Sequence, residues 1–155
     1  MVSDLLGTLL QELGHALGIE NLHPDENNTC LIQLQNGQQI QIEMDKAGEF
    51  VLIGSVLGTV PPGRYRENLL KEALKANGMP HPIHGVLCFS TKTDHLIMFQ
   101  KISLRDLRGE KIAAEITPFL DKAAIWWDAV KAGVVPLLNQ HEGGGRSAGG
   151  MFGLR

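Results

Sequence analysis

Hydrophobic positions in the opening stretch MVSDLLGTLLQELGHALG recur at helical spacing: Leu5, Leu6, Leu9, Leu10, Leu13, Ala16 and Leu17 fall along one stripe. Ser3 is placed to cap that helix and Gly18 to end it. Gly7 and Gly14 interrupt it, at about 1 kcal/mol each relative to alanine. The period then changes to two. In TCLIQLQNGQQIQIEM, Cys30, Ile32 and Leu34 alternate with Leu31, Gln33 and Gln35, and Ile40, Ile42 and Met44 alternate with Gln39, Gln41 and Glu43. Asn36-Gly37 between the two runs is a strong hairpin signal, and the pattern predicts one dry and one mostly wet face.

A third strand, from about Glu49 to Leu57, has a different pattern. Phe50, Leu52 and Val56 point one way, and Val51, Ile53 and Leu57 the other. Pro61, Pro62 and Gly63 end it, and a helix follows from about Arg64 to Ala76 with Tyr65, Leu69, Leu70, Ala73 and Leu74 on its apolar side. The proline-rich loop MPHPIH leads into GVLCFS and HLIMFQKISL, two strands joined by the turn TKTD. Both are apolar on both faces, Val86 and Cys88 against Leu87 and Phe89, then Leu96 and Met98 against Ile97 and Phe99. A last helix carries Ile112, Ile116, Phe119, Leu120, Ala123, Trp127 and Val130, with Pro118 expected to kink or restart it. The order α-β-β-β-α-β-β-α predicts an α+β domain with a mainly antiparallel twisted sheet packed by three helices. Residues 1–138 read as this domain, and 139–155, containing GGGRSAGGMFGLR, as a flexible Gly-rich tail.

At 155 residues with 43% hydrophobic and 20% charged side chains, the chain fits a single globular domain. Its formal net charge of -3, with scattered cations, argues against nucleic acid as a partner. The N-terminal stretch carries Asp4 and Glu12 among its leucines and lacks the pattern of a signal peptide. No apolar run approaches the ~20 residues of a membrane span, so no membrane insertion is expected. Cys30 and Cys88 sit in apolar strand segments and read as reduced, buried thiols.

Candidate chemistry is sparse. His81-Pro82-Ile83-His84, with His23 and His95, lacks the helical histidine pair of a catalytic zinc site, and no cysteine lies close in sequence. Asp4, Asp94, Asp106 and Asp121 show no paired-carboxylate spacing. No nucleophile elbow occurs, and GGGRSAGG lacks the lysine of a phosphate loop. The chain therefore reads as no enzyme, with no catalytic residue, metal or cofactor. Three strands apolar on both faces need two covers, which three helices supply only if they pack on both sides. Either the helices cover everything or a surplus face serves self-association, client binding or both; periodicity leaves both open.

In order and spacing, NNTCLIQL with its Asn36-Gly37 turn, EFVLIGSVLGTVP, LLKEALKANG, GVLCFSTKTDHLIMFQKISL and FLDKAAIWWDAV resemble the CesT/Tir-chaperone family, the class I effector chaperones of bacterial type III secretion. The resemblance runs from the first helix to about Val130. It implies a homodimeric bacterial cytosolic chaperone that binds the N-terminal chaperone-binding segment of a secreted effector and keeps it soluble and secretion-competent by burial, without nucleotide. It implies dimer contacts through the second helix and fourth strand, where Leu70, Leu74, Val86 and Cys88 are the candidates. Leu5, Leu9, Leu13, Leu31, Ile97 and Phe99 are the candidates for effector-binding patches, and each also fits an ordinary core position. The secretion ATPase or sorting machinery is a further implied partner. A chaperone-like dimeric α/β adaptor or regulator with no export role is the alternative. Two features depart from the family pattern: Pro118 in the last helix, and the tail bearing Met151, Phe152 and Leu154.

Overall fold

The computed structural model describes residues 2–80, 83–105 and 109–137. Among these, the elements follow in the order α1 (Val2–Leu17), β1 (Thr29–Gln33), β2 (Gln39–Met44), β3 (Phe50–Thr59), α2 (Arg64–Asn77), β4 (Val86–Ser90), β5 (His95–Ser103) and α3 (Gly109–Ala132). The α+β order is the one the pattern predicts. Residues 139–155, His81, Pro82 and Asp106 lie outside the described residues. α1 begins before Ser3, which is therefore inside the helix and not its cap.

The strands form one sheet in the order β1-β2-β3-β5-β4, every pair antiparallel. A three-residue loop, Gln35 to Gly37, joins β1 to β2, closed by the Gly37 N–H on the Leu34 carbonyl with Gly37 at φ +90°. It sets Ile32 opposite Ile40, where a two-residue Asn36-Gly37 turn would have set Ile32 opposite Gln41. β5 turns back between β3 and β4, so the longest strands, β3 and β5, lie side by side at the centre. Pleating places Ile32, Ile40, Ile42, Ile53, Leu57, Leu87, Leu96 and Met98 on one inner face, where they join the helices in a single core. A bulge at the end of β3 separates Val56 from Gly58, whose φ is +140°. A Cβ on Gly58 would come within 2.7 Å of Val130 Cγ1, so only glycine lets α3 approach there.

α3 is one helix despite Pro118. From Ile112 to Trp126 its buried residues, Ile112, Ile116, Phe119, Ala123 and Trp126, keep a four-three spacing straight through the proline, so packing on one face holds both halves in line. Trp126, not Trp127, is the fully buried indole; Trp127, Leu120 and Val130 are half-buried around it. The α2 hydroxyl of Tyr65 donates to the Val134 carbonyl at 2.9 Å and ties α2 to the chain leaving α3. Arg66 donates through Nε to the Val60 carbonyl at 2.9 Å, pairs with Asp94 at 2.9 Å and stacks over Phe89, fixing the β4–β5 turn against α2.

Candidate functional site

The helices and the inner face share one core, and the opposite face of the sheet is left open. Strand register arranges that outer face in rows. One row runs Thr29, Glu43, Leu52, Lys101; the next Leu31, Gln41, Gly54, Phe99, Val86; a third includes Val56, Ile97 and Cys88. The face is thus divided along β3. On the β2 side stand Gln39, Gln41 and Glu43, and on the β5 side Ile97, Phe99 and Val86. Leu52 and Val56 are exposed between them. A solvent-open cavity of about 480 Å³ lies over this seam, with Trp127 at the hairpin end. Contiguous exposed apolar surface of this kind marks a contact site more often than a free surface.

The two edges of the sheet differ. On β4, Asn77 of α2 acts as a substitute strand: its side-chain nitrogen donates to the Leu87 carbonyl at 2.8 Å and its oxygen accepts from the Leu87 N–H at 2.9 Å. On β1, the Leu34 and Asn28 bonds to β2 set even-numbered residues facing the sheet, so Thr29, Leu31 and Gln33 face outward. Asp25 closes the first of these, accepting from the Thr29 N–H and donating to its carbonyl. The outward N–H and C=O of Leu31 and Gln33 have no partner among the described residues. The β4 edge is closed at Leu87, and the β1 edge is a template for an added strand.

The candidates from sequence separate clearly on burial. Leu9 (5% exposed) and Leu13 (1%) are core residues with Leu6 and Leu10, which corrects their assignment to a surface patch: the face of α1 that carries them packs into the shared core. Leu5 is 45% exposed and Leu31 58%; Ile97 and Phe99 are half-buried on the outer face. Of the four dimer candidates, Leu74 is 71% exposed, Val86 and Cys88 are exposed on outer β4, and Leu70 is half-buried. The exposure of Cys88 corrects the expectation of two buried thiols; only Cys30 is buried. Leu74 shares a shallow cleft with Val135 and Leu137, rimmed by Lys71, Glu72 and Lys75. Sequence reasoning missed Leu52 and Val56 as surface residues, because both faces of β3 are apolar and only the packing of the helices decides which one is inside.

Little here resembles reaction chemistry. Among the described residues no three His, Cys, Asp or Glu side chains assemble as metal ligands. Desolvation pushes the thiols of Cys30 and Cys88 up, which keeps them protonated and weakly nucleophilic. Burial lowers the pKa of Lys122, whose ammonium donates to the Gly85 carbonyl at 2.8 Å as a structural contact. No helix among the described residues is long and apolar enough to cross a membrane.

Residues 8–127 match the family model of the Tir chaperone protein (CesT) family. No curated protein matches the chain. Among solved structures, the fold is similar to the Yersinia pestis type III secretion chaperone SycH in complex with a stable fragment of YscM2 (TM-score 0.61, 17% identity, 78% of this chain and 98% of that one). It is similar also to a chain of the HopA1–SchA chaperone–effector complex (0.59, 22%, 83% and 98%). A third likeness is to a chain of the heterodimeric ExoU–SpcU complex from the type III secretion system of Pseudomonas aeruginosa (0.59, 15%, 84% and 98%).

Proposed function

Because this chain belongs to the Tir chaperone protein (CesT) family, we propose that it is a type III secretion chaperone. It binds the N-terminal segment of a secreted effector in the bacterial cytosol and keeps that segment soluble and ready for export. The observation that carries this reading is an uncovered apolar sheet face beside an open β1 edge. An extended client can pair its backbone with Leu31 and Gln33 and set alternate side chains on the sheet, which gives affinity without a deep pocket. Burial does the work, so the reading assigns no catalysis, cofactor or nucleotide. A second copy of the chain pairs through α2 and β4, and a bound chaperone–client complex presents itself to the secretion ATPase or sorting machinery. The solved folds it resembles, several of them in complexes with a partner protein, support this reading.

Purification of the tagged chain from its native cell tests it. A larger secreted protein held through its N-terminal region, and lost from the medium when the chaperone is deleted, is the expected result. An unchanged secretion profile with no such protein retained would favour the dimeric adaptor or regulator.

The two leucine classes on α1 give a second test. Leu5→Asp should cost less than about 1 kcal/mol, because its side chain already meets water, and should weaken client binding. Leu13→Asp places an unpaired carboxylate in the core and should unfold the domain. Thermal melts of both, with calorimetric titration of the captured client segment onto Leu5→Asp, check this. Undiminished affinity in a folded Leu5→Asp protein would remove α1 from the client surface.

A further inference from the structure

β3 runs through the middle of the sheet, where outward positions favour β-branched or aromatic residues and glycine weakens the strand. Its outward residues are Phe50, Leu52, Gly54 and Val56. Nothing in the fold requires glycine at position 54. Its φ is not positive, and an added Cβ would meet nothing nearer than the Met98 carbonyl oxygen, at 3.9 Å. Gly58 on the same strand is the contrast, since there a Cβ collides with Val130. The missing side chain at 54 leaves a notch in the cavity wall, flanked along the strand by Leu52 and Val56 and across it by Gln41 and Phe99. A strand glycine that the fold does not need marks a place where another molecule comes close to the backbone.

The charge beside the notch is one-sided. Glu43 lines the same cavity, stands opposite Leu52 on β2, and forms no ion pair among the described residues. The cation across the strand, Lys101, is held 3.8 Å over the Phe50 ring. Gly54 and Glu43 are diagonal neighbours, roughly 7–8 Å apart by sheet geometry, close to the roughly 7 Å between alternate residues of an extended chain.

We propose that Gly54 forms the anchor site for a single large apolar side chain of the bound client segment, and that Glu43 selects a lysine or arginine two residues from that anchor. The proposal rests on the client-binding reading of the outer face and adds the sequence feature that the face recognises.

Three synthetic twelve-residue peptides titrated onto the full chain, followed by amide chemical shifts, test it. One carries phenylalanine with lysine two residues on, one replaces the phenylalanine with alanine, and one replaces the lysine with glutamate. The first should bind about tenfold or more tightly than the alanine peptide, as expected for burying one large side chain. It should also bind several-fold more tightly than the glutamate peptide, and that second difference should disappear in Glu43→Gln. Gly54→Val should melt at the same or a higher temperature yet lose the preference for phenylalanine; Gly54→Ala, with ordinary space for its methyl group, should lose part of it. Undiminished preference in either folded variant overturns the notch. So does loss of dimer mass in Gly54→Val, which would give the site to a second copy of this chain. Undiminished capture of the native secreted protein by Gly54→Val overturns the notch while leaving the chaperone reading intact. Failure of the wild-type chain to capture any secreted protein sinks that reading, and the peptides still decide the notch.

Discussion

Phe119→Ala should remove about 3–5 kcal/mol of stability, the usual cost of deleting a buried aromatic ring. Phe119 has no exposed surface and sits in the single core with Ile116, Ala123 and Trp126. It lies directly after Pro118, so backbone bonding is weakest where this side chain holds α3 to the sheet. Collapse around the vacated space is limited because β3, with its bulge, and α3 are already in close contact at Gly58 and Val130. A domain of this size has a total stability of roughly 5–15 kcal/mol, so the loss is a large fraction of it. Urea unfolding should show a lower midpoint with an unchanged slope. Ile125→Ala is the control: the side chain is half-exposed on the same helix, and the change should cost less than about 1 kcal/mol. Equal losses at the two positions would mean that α3 is not held by the face assigned here.

How far the sequence discloses this fold depends on the element. The β1–β2 hairpin is legible in outline: Asn36-Gly37 marks the turn and Gln39, Gln41 and Glu43 mark the wet face. The loop is one residue longer than a two-residue Asn-Gly turn, however, and that extra residue is what sets Ile32 opposite Ile40. The doubly apolar strands disclose that two covers are needed, but not which side the helices take. Leu52 and Val51 are equally hydrophobic, and only the position of α1 and α3 makes one exposed and the other core. For the same reason Leu5, Leu9 and Leu13 look alike in α1: spacing gives a stripe, while its dry width is set by the element packed on it. The placement of β5 between β3 and β4 is also illegible, since α2 and a proline loop separate these strands and local pattern carries no long-range pairing. Trp126 against Trp127 was decidable in principle. The four-three spacing from Ile112 selects Trp126, whereas the proline invites a restart of the register.

The site is less legible than the fold. An open sheet edge is a backbone property, visible only once β1 is known to be terminal and Asn77 is seen closing the other side. Gly54 reads as a weak point in a strand until the space around it is known. The absence that gives the notch its shape has no pattern in sequence. Client patches and core draw on one set of residue types, so exposure in the folded chain, and not composition, separates them.

Leu74→Asp should leave each subunit folded and convert the proposed homodimer to monomer. In the single chain the Leu74 side chain is 71% exposed, so aspartate there costs the isolated subunit less than about 1 kcal/mol. A residue this apolar and this exposed sits in a cleft with Val135 and Leu137, between Lys71 and Lys75. α2 lies along β4, whose outer face offers Val86 and Cys88, so the two elements form adjoining parts of one surface. In a twofold dimer the same position occurs on both subunits, so each substitution counts twice. A central interface residue costs about 2 kcal/mol or more when lost, which doubles to about 4 kcal/mol, roughly a thousandfold in dimer affinity. Sedimentation equilibrium at micromolar concentration reads this directly: dimer mass for the parent chain, monomer mass for the variant, and coincident thermal melts once the dimer contribution is removed by dilution. A parent chain of monomer mass would sink the dimer itself. A dimeric variant with an unchanged dissociation constant would move the interface away from α2, leaving β4 and the outer sheet face to supply it.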